Sequence, residues 1–198
     1  MKSSVKYLQG AYLLMIIVIF TLPFFSVDSY TILKNTSSHL AAQNEPYAWI
    51  MNITFVCLGL ASIVSGWNFY KRFWFHRIIL VVFGISLVFA AYYQHGPIDT
   101  GVKYDINEDK LHSLFSNITG FTFVLLAIST AFILKQKKEK LLAFTIGISA
   151  TLLSILMVKV ADLMGFWQRI IFISSFGWMI YLFRTRKTNI KDLHKAKK

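Results

Sequence analysis

The chain is poor in the residues that build soluble catalytic or disulfide-bonded domains. Its 198 residues include one cysteine, three prolines and nine acidic side chains, and only 15% are charged. A single cysteine, Cys57, excludes an intrachain disulfide, and its place inside an apolar run makes it a small buried hydrophobe. No Cys-x-x-Cys, His-x-x-x-His or His-Glu-x-x-His spacing occurs, so no local zinc motif is present. A Gly-x-Ser-x-Gly nucleophile elbow and a Gly-rich phosphate loop are also missing. No cofactor or metal is implied.

What fills the chain instead is hydrocarbon. Apolar residues make up 56% of it and the mean hydropathy is +0.55. Apolar runs cover about residues 8–27, 47–67, 77–94, 112–134, 141–161 and 168–184. Each is near the roughly 20 residues a helix needs to span ~30 Å of bilayer. Six such helices cannot all be covered in water, so the expected fold is an all-α integral membrane protein, one antiparallel bundle of six transmembrane helices. The first run has a short basic start like a signal sequence. It is too long for an h-region and lacks a small-x-small cleavage pattern, so it reads as retained.

The scarce charges are sorted by side. Lys2, Lys6, Lys71, Arg72, Arg77, four lysines between 135 and 140 and seven basic residues from Arg184 onward fall on one side, opposed by Glu139 and Asp192. The other side carries five basic and seven acidic residues. Retention of Lys and Arg in the cytoplasm then places both termini inside, in a multi-pass plasma-membrane protein. The net charge of +12 is dispersed over short segments without a folded domain to present it, which argues against nucleic acid as a partner. These residues serve as anchors to anionic headgroups. Residues 1–184 form one transmembrane domain and 185–198 a basic cytoplasmic tail.

Two outer loops, 28–46 and 94–111, are long enough for binding or a lid, whereas the third, 162–167, is a tight turn. Small residues four apart, Ser62 and Gly66, then Ala143, Gly147 and Thr151, predict close helix seams. Polar residues gather toward the outer side. His112, Ser116 and Thr119 share one helical face, and Ser113, Asn117 and Gly120 the next strip. Such groups are unfavourable against lipid tails and should face the bundle or a watery cavity. Asn52 and Thr54 add polarity at similar depth. Lys159 with Asp162, and Gln168 with Arg169, flank the last turn, while His39, His95, Asp99 and Asp105 come from the loops.

Each has a plain alternative. Lys159 snorkels and pairs with Asp162, and His39 and His95 sit solvated at the interface. Asn117 and Asn52 head glycosylation sequons, but both lie within spans. The functional expectation is one outer pocket in which Arg169 grips an anion, His112 and Asp99 form a hydrogen-bonding or proton-transfer pair, and Asn52 and Asn117 orient the ligand. Gln168, His39, Ser116 and Asp162 complete the proposed lining. A zinc site with ligands from His39, His95, His112 and Asp99 is a weaker alternative.

Several segments resemble a known family. Asn35-Thr-Ser-Ser-His-Leu-Ala-Ala-Gln43 and Pro46-Tyr-Ala-Trp-Ile-Met-Asn52 resemble the first outer loop of a prokaryotic membrane family known only as domain-of-unknown-function family 998. Gly96-Pro-Ile-Asp99, Leu111-His112-Ser113 and Gly120-Phe121 are similar to its segment between the third and fourth helices, with Gly96 standing where an aromatic is the pattern. Gly165-Phe-Trp-Gln-Arg169 is similar to the start of its last helix. The resemblance covers about residues 10–185 and implies a six-helix bundle without an assigned reaction. The bundle is also loosely similar to eukaryotic membrane proteins associated with lipid-anchor remodelling and autophagy modulation, an analogy of fold alone. Membrane lipids, a small anionic or zwitterionic ligand and a membrane-protein partner are the partners these features suggest. Binding, sensing or transport is the leading reading. An enzyme of lipid or envelope modification, and a structural or immunity-type partner, are the alternatives.

Overall fold

The computed structural model describes residues 4–195, with side chains through residue 185. The expected anchors Lys2, Lys197 and Lys198 lie outside the described residues. The described residues form six α-helices: α1 Ser4–Thr21, α2 Ala48–Gly66, α3 Trp74–Tyr92, α4 Ile106–Ile133, α5 Lys137–Lys159 and α6 Met164–Lys195. No strand occurs among the described residues. All six helices contain a stretch apolar and long enough to cross a membrane.

The helix ends follow local chemistry. Pro23, lacking an N–H, converts the end of α1 into a 3-10 turn at Leu22–Phe25. α4 starts at Ile106, earlier than the expected 112. The Asp105 side chain caps it, accepting from the backbone N–H groups of Asn107 and Glu108 at 2.7 and 3.2 Å. Glu108 and Asp109 in the first turn suit the positive end of the helix dipole. A hydropathy run cannot register such a polar turn. α5 likewise begins with Lys137, and α6 runs on to Lys195, so the expected tail continues the last helix through that residue.

Each helix packs on the next in sequence, and α1 and α2 also pack on α6. The α2–α3 crossing is set by a pair of glycines. A Cβ on Gly84 would lie 2.6 Å from the carbonyl oxygen of Gly59, and a Cβ on Gly59 would collide with the carbonyl of Gly84. The anticipated seam at Gly147 exists, since a Cβ there would stand 2.8 Å from Ile128 on α4. Leu8, Met15, Met51, Leu58, Leu126 and Met179 are fully buried at the centre. Leu13, Ile17, Ile53, Ile78, Phe132 and Leu141 are exposed on the outside, as expected where the solvent is hydrocarbon.

At one end of the bundle the Ser65 hydroxyl donates to the Ser4 carbonyl at 2.7 Å, and the Tyr70 and Thr130 hydroxyls pair at 2.7 Å. At the other end the two long loops are joined. The Gln43 N–H donates to the His95 carbonyl at 2.9 Å, and its side-chain oxygen accepts from the Asp105 N–H at 2.7 Å. The Gln43 amide group donates to the Gln94 and Asp105 carbonyls at 3.2 and 2.9 Å. One glutamine thus holds the base of the second loop with both its donor and its acceptor.

Candidate functional site

At the loop end, α4, α5 and α6 enclose a cavity of about 1080 Å³. Its floor is apolar, made by Phe83 of α3, Phe55 of α2 and Phe123, Phe172 and Phe176. Its upper wall is polar: Ser38 from the first loop, His112, Ser116 and Asn117 from α4, Lys159 from α5 and Gln168 from α6. Along the α4 and α5 flanks, the lining residues Asn117, Gly120, Thr151, Ser154 and Val158 are exposed, marking the open side. Lys159 is the only fully charged side chain of the lining, which contains no carboxylate. The Lys159 side chain is exposed and makes no ion pair with Asp162 or any other described residue. Deeper in, Ser175 is 4% exposed and its hydroxyl has no hydrogen-bond partner among the described residues. Buried polar groups are normally satisfied, so this hydroxyl leaves an unmet bond on the cavity wall.

His112 is the most tightly specified group. It is 2% exposed, and its Nδ1 lies 2.7 Å from the Ala90 carbonyl and 3.0 Å from the Tyr93 carbonyl. Both partners accept only, so Nδ1 carries the proton and Nε2 presents a lone pair. That lone pair faces the Ser116 hydroxyl at 3.2 Å. Gln168 is fixed by the Ser37 N–H, which donates to its side-chain oxygen at 2.7 Å and so leaves the amide donors for other partners.

Above the cavity three histidines touch in series. The His39 and His95 rings are 4.6 Å apart between centroids, and His95 and His112 are 5.2 Å apart. His39 Nδ1 accepts from the Thr36 N–H at 3.0 Å, and burial together with neighbouring His95 and His112 pushes its pKa down to about 4. His95 Nδ1 meets the Gly96 carbonyl at 2.8 Å and the Asp109 carboxylate at 3.5 Å. Among the described residues no group of His, Cys, Asp and Glu has the arrangement to hold a metal ion.

Of the residues expected in the pocket, His112, Ser116, Asn117 and Gln168 line one cavity, and the others lie outside its lining. Arg169 does not face the cavity. It is 4% exposed and its donors go to the Ile32, Asn35 and Gly165 carbonyls at 2.8, 3.0 and 2.9 Å and to the Tyr30 hydroxyl at 2.6 Å. Its Nε also reaches the Ile19 carbonyl at 3.4 Å, and a guanidinium bonded to five protein oxygens has little left for an external anion. Gly165 lies beneath the same loop, and a Cβ there would overlap the Asn35 carbonyl. Asp99 is not with His112 but accepts from the Ser29 hydroxyl at 2.5 Å. The His–Asp contact that does form is His95 with Asp109, because the early start of α4 lifts Asp109 beside the second loop. Asn52 stays on α2 outside the lining, its buried side-chain oxygen unpartnered. Asp162 is exposed and, like His39, which lies against His95, is not part of the lining. Ser38, Ser154 and Ser175 were not singled out by sequence, since isolated serines in apolar helices carry no motif.

A family model described as "Protein of unknown function (DUF998)" matches residues 10–185. No curated protein and no solved structure matches the chain.

Proposed function

Since the chain belongs to the DUF998 family, whose description carries no activity, we propose its function from the cavity: it holds a membrane amphiphile, acyl chain inward and anionic or zwitterionic headgroup at the polar wall. The carrying observation is the division of one cavity into a phenylalanine-lined floor and a wall with Lys159 and no carboxylate. Its size, about 1080 Å³, lies just above the ~300–1,000 Å³ usual for small-ligand sites, which suits a long chain better than a compact solute. The unpartnered Ser175 hydroxyl adds a polar point inside. Sidedness of charge supports both termini in the cytoplasm, the loop end and the cavity wall in the outer leaflet, and an antiparallel arrangement of neighbouring helices. The open flank between α4 and α5 then faces hydrocarbon, a lateral route for a lipid.

Lys159 takes the anion-binding role that the sequence suggested for Arg169. An exposed lysine on the side depleted of basic residues, with no ion pair among the described residues, is a point charge available to a phosphate or carboxylate.

The test is mass spectrometry of lipids co-purified with the protein and with Lys159→Ala and Gly120→Phe variants. Enrichment of an anionic or zwitterionic lipid in the parent, reduced in both variants, supports the reading. Identical profiles in all three overturn it. Identical profiles together with loss of cellular function on Gly147→Leu favour the packing-partner reading, because Gly147 seats α5 on Ile128 of α4.

A further inference from the structure

We infer that Ser116 is a nucleophile and His112 its general base, so that the cavity hydrolyses an acyl ester of the amphiphile it holds; the inference rests on the amphiphile reading above. The contact between the two is 3.2 Å from Ser116 Oγ to His112 Nε2, within reach for proton transfer. What makes it informative is the orientation of the hydroxyl. Thr54, Ser62, Thr119, Ser154 and Ser174, also within helices, donate to the carbonyl four residues back. That is the nearest acceptor for a helical hydroxyl in an apolar medium. Ser116, whose residue four back is His112, meets the imidazole ring instead of that residue's carbonyl.

The imidazole is held for the same purpose. Two carbonyls, of Ala90 and Tyr93, fix the proton on Nδ1 and leave Nε2 basic toward Ser116. They occupy the place that a carboxylate takes in a Ser-His-Asp triad. Both Ser116 and His112 line the cavity, as do the amide groups of Gln168 and Asn117, the donors available to an oxyanion.

The step balances without a metal or a redox partner. Ser116 Oγ bonds to the ester carbonyl carbon while its proton passes to Nε2. The tetrahedral adduct collapses with breakage of the carbon–oxygen bond to the alcohol, which takes that proton. A water molecule then attacks the acyl-serine, again giving its proton to Nε2. The bond to Oγ breaks, the serine recovers its proton, and the fatty acid is released. The sum is ester plus water giving acid plus alcohol.

The experiment is labelling of the purified full-length protein in nanodiscs with a long-chain alkyl fluorophosphonate, which captures activated serines. The expected result is one labelled residue, mapped to Ser116 by peptide mass spectrometry. The label is abolished in Ser116→Ala and slowed about 100-fold or more in His112→Gln. Ser129→Ala, outside the cavity, keeps it. Melting of each variant in detergent identifies any that fail to fold, and Ser116→Ala, which removes one hydroxyl, is the deciding variant. No label on Ser116 under conditions that label a known serine hydrolase overturns the inference, as does a label that survives in Ser116→Ala. Enriched lipid in unlabelled protein would leave amphiphile binding standing and remove the nucleophile. Loss of both signals would remove the two together.

Discussion

The Arg169 guanidinium donates to the Tyr30 hydroxyl at 2.6 Å, while the single proton of that hydroxyl is shared between the Asn35 and Thr36 carbonyls at 3.2 and 3.1 Å. One cation at the start of α6 therefore organises the first loop from within, using backbone oxygens where a carboxylate would be the ordinary partner. The side chain acts as a nail through the loop.

Removing that nail leaves buried carbonyls without donors, at ~1–3 kcal/mol each. Arg169→Ala should lower the detergent melting temperature substantially, by the equivalent of about 3 kcal/mol or more, and expose residues 28–46 to protease. Arg169→Lys keeps the charge but not the planar fork and should fall between. An alanine variant with parent-like melting and a protected loop would show that these bonds do not hold the loop.

The α2–α3 crossing makes a sharper comparison. Gly59→Ala drives a methyl into the Gly84 carbonyl, and overpacking of that kind costs about 1–3 kcal/mol. Gly10 on α1 has nothing within 4 Å of a built Cβ, so Gly10→Ala should be neutral or stabilising by up to about 1 kcal/mol. Thermal melting of the two variants side by side checks this, and equal melting points would contradict the close approach.

His39 supplies a pH dependence. Its folded pKa of about 4 lies below the usual 6.5, so below pH 6.5 the unfolded chain binds more protons than the folded one. Stability from this group is complete above pH 6.5 and is lost as pH falls toward 4, by at most about 3 kcal/mol. Glu45 acts oppositely: burial raises its pKa, so protonation on acidification favours the fold. In a Glu45→Gln background, replacing His39 by Asn should flatten the fall in melting temperature between pH 7 and 4.5. An unchanged slope would assign the acid sensitivity elsewhere.

Six spans were legible because every helix is apolar around most of its circumference, and hydropathy measures that directly. The start of α4 was not, since its first turn is polar and depends on the Asp105 cap. Of the two polar strips on α4, His112, Ser116 and Thr119 turn inward as their spacing suggests, whereas Ser113, Asn117 and Gly120 are exposed, against the expectation that such a strip avoids the outside. The role of Arg169 was not legible. Whether a guanidinium faces a cavity or a loop's carbonyls depends on how residues 30–35 fold back, and no local pattern encodes that. Gln43 bridging two loops and the Gly59–Gly84 crossing are equally long-range facts, invisible until the partners are adjacent.

Gln43 has one more consequence. It ties both connecting segments together at the end of the bundle that carries the polar wall, and on the proposed reading the occupant enters by the flank between α4 and α5. On the proposed reading, occupancy would then follow the occupant's mole fraction in the surrounding leaflet rather than its concentration in bulk water. Changing the host bilayer's composition should load or empty the protein more effectively than dilution.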